Sequence, residues 1–122
     1  MKKIMIVEDD EVIKDELSEL LKNSSYLVES VKNFEKAKEE IFKYNPDLIL
    51  LDINIPYLNG ELLLKEIRKE SSVPVIMVTS KSGEIDEALS ITYGADDYIT
   101  KPFSIRELLA RVKAVLRRSA NV

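Results

Sequence analysis

The sequence predicts an α/β protein, a doubly wound parallel sheet of five strands with helices on both faces. Three observations carry this. Residues 4–7, 48–51 and 75–78 are short, nearly continuous apolar runs, the pattern of parallel strands covered on both sides. Segments between them repeat their apolar residues at helical spacing. The two kinds of segment alternate, which requires right-handed crossovers between parallel strands.

After the first strand at 4–7, Ile13, Leu17, Leu20 and Leu21 share one face of a helix. Residues 26–31 form a weaker strand; Glu29 and Ser30 interrupt its apolar pattern and put it at an edge of the sheet. Phe34, Ala37 and Ile41 make the second helical stripe, with Asn33 placed to cap it. Pro46 precedes the strand at 48–51 and Pro74 the strand at 75–78, while Gly60 and Gly94 break elements. Residues 98–100 form the fifth strand. The last helix, with Ser104 as its cap, has the clearest stripe: Ile105, Leu108, Leu109, Val112, Val115 and Leu116. Five strand–helix units thus make one domain over residues 1–118. Periodicity fades beyond it, and residues 119–122 read as the start of a linker or a frayed tail.

Composition narrows the chemistry. The 122 residues fit one domain, and 45% apolar with 33% charged residues is an ordinary globular balance. A net charge of −4 gives no basic field to hold nucleic acid. There is no Cys and no His, so thiolate sites, disulfides and an imidazole base are excluded. Carboxylates, hydroxyls, Lys and backbone remain, and oxygen ligands favour a hard cation such as Mg²⁺. No apolar run approaches the roughly 18 residues of a membrane span. Met1, Lys2 and Lys3 run straight into a strand without a leader's apolar stretch, so a cytoplasmic location is expected.

Ligands of open α/β sheets bind beyond the carboxyl ends of the strands, where the strand order switches. Glu8, Asp9 and Asp10 follow the first strand, Asp52 ends the third, Thr79 and Ser80 the fourth, and Thr100, Lys101 and Pro102 the fifth. Crowded carboxylates repel one another, and a divalent cation offsets that cost. One metal, one nucleophilic carboxylate, a hydroxyl and an ammonium suit phosphoryl transfer, which depends on positioning and charge neutralisation. Asp52 can be the nucleophile in this arrangement, since carboxylates form acyl phosphates. Taken singly, each residue has an ordinary reading: Asp10 as a helix-start acid, Thr79 as a loop hydroxyl, Lys101 as a solvated lysine. Their joint placement at four strand ends favours the site.

These motifs resemble the response-regulator receiver family, and most closely receivers of the OmpR/PhoB winged-helix type. They are Ile-Met-Ile-Val-Glu8-Asp9-Asp10, Leu-Leu-Asp52-Ile-Asn54-Ile-Pro56 through Gly60, Val-Thr79-Ser80, and Gly94-Ala-Asp96-Asp97-Tyr98 through Phe103. The resemblance spans essentially the whole chain. It implies a flavodoxin-like receiver fold with strand order 2-1-3-4-5. It makes Asp52 the phosphoacceptor, phosphorylated from a sensor histidine kinase with Mg²⁺, or alternatively Mn²⁺. Asp9 and Asp52 would be direct metal ligands, together with the Asn54 backbone carbonyl, and Glu8 would act through water. Lys101 and Thr79 would meet the phosphoryl oxygens, Tyr98 would turn inward with Thr79 on activation, and the Lys101-Pro102 bond would be cis. Glu8 stands where many members have Asp, Ser80 where Ala is common, and Asn54 and Lys81 where dephosphorylation is tuned.

By the same resemblance, the fourth helix, fifth strand and fifth helix form an output face that dimerises on phosphorylation. Ala88, Ile91 and Ala110 would be its apolar patch, and Asp97 with Arg111 and Asp96 with Arg118 its ion pairs across the dimer. Glu87 faces Glu107 where the family usually pairs a base with an acid. Like charges there predict a weaker or shifted dimer, unless both are simply solvated. DNA would be reached only through a C-terminal effector domain absent from this sequence, giving a role in transcription regulation. Two rival functions are weaker. A phosphohydrolase would need an acid at Asn54, and a phosphorylation-independent adaptor would not need Glu8, Asp9, Asp52, Thr79 and Lys101 together. The chain is therefore expected to be a signalling switch and not an enzyme.

Overall fold

The computed structural model describes residues 1–53, 55, 58–79 and 94–120. Its strands are β1 (Lys3–Val7), β2 (Leu27–Ser30), β3 (Leu48–Asp52), β4 (Val75–Thr79) and β5 (Asp97–Thr100). Its helices are α1 (Glu11–Asn23), α2 (Ala37–Tyr44), α3 (Gly60–Arg68) and a C-terminal helix (Ile105–Ala120). The strands pair in parallel in the order β2-β1-β3-β4-β5, as expected for a receiver-type sheet. The helix expected between the fourth and fifth strands falls within residues 80–93, outside the described residues.

Strand alternation splits the core into two layers. Ile4, Ile6, Leu48, Leu50, Ile76 and Val78 face α1 and the C-terminal helix, meeting Leu17, Leu21, Leu108 and Val112. Met5, Val7, Ile49, Leu51, Val75 and Met77 face α2 and α3, meeting Ile41, Leu63, Leu64 and Ile67. Every residue of β3 and β4 is buried because both faces are covered, which is why these strands read as unbroken apolar runs. At the edge, β2 alternates between exposed and half-buried positions.

Asp10 caps α1, its carboxylate accepting from the Val12 and Ile13 amides at 3.0 and 3.2 Å. Ser104 caps the C-terminal helix by accepting from the Glu107 amide at 3.0 Å. Asn33 does cap, but not α2 itself: it accepts from the Glu35 amide, at the head of a 3₁₀ turn over Phe34–Lys36 that leads into α2. Asn59 caps α3, so Gly60 opens that helix rather than ending an element. The C-terminal helix runs on to Ala120, two residues past the expected domain edge at Arg118.

Candidate functional site

The strand order reverses between β1 and β3, which lie side by side with Val7 opposite Leu51. Their carboxyl ends bring Glu8 and Asp9 next to Asp52. One carboxylate oxygen from each of the three lies within 4.8 Å of the others. Asp52 and Thr79 are the last residues of β3 and β4, and both are buried. Thr79 pairs with Thr100 across the β4–β5 ladder, and its carbonyl accepts from the Lys101 amide at 2.6 Å. The Lys101-Pro102 bond is cis, as expected.

Lys101 closes the cluster. Its Nζ donates to Glu8 Oε1 at 2.6 Å and to Asp52 Oδ2 at 3.2 Å. Glu8 Oε2 accepts from the Asp10 amide at 3.2 Å. Glu8 is only 3% exposed. Burial, and then the hydrogen bond with Asp52, push its carboxyl up to about 7, against the opposing pull of Lys101. Burial also works against the Lys101 charge, but its two carboxylate partners outweigh it and raise the ammonium above its usual value.

The donor set fits a hard divalent cation. Three carboxylates with oxygens this close match the all-oxygen preference of Mg²⁺, and the one ammonium found beside them among the described residues leaves them a net negative charge to neutralise. Glu8, Asp9 and Asp52 are the groups placed to hold it. Asn54, whose backbone carbonyl was expected as a further ligand, lies outside the described residues, as do Ser80 and Lys81.

Backbone packing holds Asp52 in place. The Ile53 amide donates to the Val78 carbonyl at 3.1 Å. A Cβ on Gly60 would stand 2.9 Å from Ile53 Cα and 3.1 Å from the Asp52 carbonyl oxygen. Glycine is therefore needed where α3 starts against the end of β3.

On the expected output face, Ala110 is exposed and Tyr98 is half-buried against the α2–α3 side of the core. Asp97 and Arg111 form an ion pair within the chain, at 2.8 Å. Arg111 also reaches Glu107 at 3.3 Å. Ala88, Ile91 and Glu87 lie outside the described residues. Arg68, which the sequence did not single out, ties three segments together: it donates to the carbonyls of Gly94 and Val73 and to Asp96. Its only trace in the sequence is a basic residue in the last turn of a helix, which ordinarily answers the helix dipole.

The response regulator receiver domain family matches residues 4–113, and the chain belongs to that family. It is a receiver domain of a two-component response regulator. It is 44% identical to the sensory transduction protein RegX3 of Mycolicibacterium smegmatis, over 99% of this chain and 53% of that protein. RegX3 of Mycobacterium tuberculosis is 43% identical over the same shares. The chain thus spans about half the length of these relatives. Among solved structures, the N-terminal domain of the nisin resistance regulator NsrR superposes with a TM-score of 0.89 at 44% identity, covering 95% of this chain and 98% of that one. The beryllofluoride-activated receiver domain of Klebsiella pneumoniae RstA gives 0.89 at 34% identity, covering 94% and 98%. No helix among the described residues is long and apolar enough to cross a membrane.

Proposed function

We propose that the chain accepts a phosphoryl group on Asp52 from a phosphohistidine of a sensor kinase, and relays the change to its β5 and C-terminal-helix face. The observation that carries this is Lys101 bridging Glu8 and Asp52 beside Asp9. An Asp52 oxygen attacks phosphorus; the new O–P bond forms as the P–N bond breaks, and the imidazole leaves with the electron pair and takes a proton. Lys101 neutralises charge on the phosphoryl oxygens, and the Thr79 hydroxyl donates to them. Mg²⁺, or Mn²⁺, bound by Asp9 and Asp52 with Glu8 through water, would supply the remaining positive charge at the phosphoryl group. Tyr98 follows Thr79 inward.

The phosphoryl group stays on the protein, so the domain acts as a switch and not as a turnover enzyme. The phosphorylated face pairs with a second copy through Ala110, Asp96 and Arg118, and through Asp97 and Arg111 once their ion pair within the chain opens. DNA binding and transcription control belong to an effector domain, in keeping with relatives about twice as long. A cytoplasmic site of action accompanies this role. The bond type gives a test: after treatment with acetyl phosphate and Mg²⁺, hydroxylamine should strip the label, as it does an acyl phosphate. A label stable to hydroxylamine would mean a hydroxyl acceptor and would contradict the assignment to Asp52.

A further inference from the structure

The two acid–base pairs of the output face are treated differently within one chain. Asp97 closes onto its own Arg111 at 2.8 Å. Asp96 does not close onto Arg118, although both line one surface recess between the loop ahead of β4 and the end of the C-terminal helix. Asp96 is held by Arg68 instead. The Arg68 Nη2 meets Asp96 Oδ2 at 3.0 Å, and the same oxygen accepts from the Val75 amide at 2.8 Å. Nε and Nη1 of Arg68 are spent on the Gly94 and Val73 carbonyls at 3.0 and 2.7 Å, which fixes the guanidinium. Both intrachain donors therefore land on one oxygen. Oδ1 has no bond among the described residues, on a side chain 40% exposed. Arg118 is exposed and forms no ion pair among the described residues.

We propose that Arg68 is a positioning residue for self-association: it withholds Asp96 from Arg118 of its own chain, so that both groups stay available to a second copy. A patch presenting one outward acid and one outward base is self-complementary about a two-fold axis, because each copy supplies what the other lacks. A second copy of this chain is therefore the occupant that the charges fit. This rests on the dimerising face proposed above, and the contribution of Arg68 is separable from it.

The test is sedimentation equilibrium of the 122-residue chain, phosphorylated with acetyl phosphate and Mg²⁺, in wild type, Arg68→Gln, Arg118→Ala and the double variant. The pair occurs twice in a symmetric dimer, so each single substitution should raise the dimer dissociation constant about tenfold. The double variant should be no worse than Arg118→Ala alone, because Arg68 acts through the same pair. Additive effects, or an unchanged dimer in Arg68→Gln, would overturn the inference and leave Arg68 as a loop staple. Arg68→Lys guards against misfolding. It keeps a cation for Asp96 but loses the carbonyl fork, so its melting temperature should fall while dimer affinity stays within about threefold of wild type. A larger loss of affinity would tie the dimer to the staple and overturn the inference. A wild type that stays monomeric, or an Arg118→Ala variant that dimerises normally, would defeat the face itself without any change at Arg68.

Discussion

Lys101 Nζ lies 2.6 Å from Glu8 and 3.2 Å from Asp52, so one ammonium ties together two buried carboxylates at the ends of neighbouring strands. Removing it would leave two acids facing each other with little solvent. Lys101→Met should lower stability at neutral pH by about 3 kcal/mol, the scale of breaking a buried pair. Urea titration in a chelating buffer measures this, and a loss below about 1 kcal/mol would show the pair to be loosely solvated.

Stability should also depend on pH through Glu8. Its carboxyl is raised from the usual 4.5 to about 7 in the fold. Between those values the native state binds more protons than the unfolded chain, so stability falls as pH rises through this window. Melting temperatures in chelator from pH 5 to pH 8 should decline more steeply in wild type than in Glu8→Gln. Parallel curves would contradict the raised carboxyl.

We propose different tasks for the neighbours Asp10 and Asp9. Asp10 holds two amides at the start of α1, so Asp10→Ala should cost about 1 kcal/mol of stability. Its Mg²⁺ affinity by calorimetry should stay within about threefold of wild type, as for the loss of one nearby charge. Asp9→Ala should lose most Mg²⁺ binding. The reverse ranking would make Asp10 the ligand.

Gly60 has no room for a side chain against Ile53 and Asp52. Gly60→Ala should destabilise the domain by about 1–3 kcal/mol through this overpacking. It should also slow phosphorylation by acetyl phosphate, because the displaced backbone carries Asp52. A variant that keeps both wild-type stability and wild-type rate would show that the start of α3 shifts freely.

Much of this was legible in the sequence because the physics was local. β3 and β4 are covered on both faces, so they appear as apolar runs whose first polar residues, Asp52 and Thr79, stand at the candidate site. Asp10 and Ser104 act as caps within three residues of themselves. Polar contacts made away from the strand ends were not legible. Arg68 finds partners 26 and 28 residues on, at Gly94 and Asp96, and nothing in its helical neighbourhood marks that. Glu40 reaches back to the Lys32 and Asn33 amides, while Asn33 holds the Glu35 amide in a 3₁₀ turn that periodicity does not distinguish from the start of a helix. The concern over Glu107 also changes in three dimensions, since Arg111 lies one turn away and partly neutralises it.

The most direct measurement is the intact mass of the chain after incubation with acetyl phosphate and Mg²⁺, beside Asp52→Asn. One added phosphoryl group is expected on the wild type alone, lost when the metal is chelated beforehand. An unmodified wild type, or an Asp52→Asn variant labelled to the same extent, would contradict it.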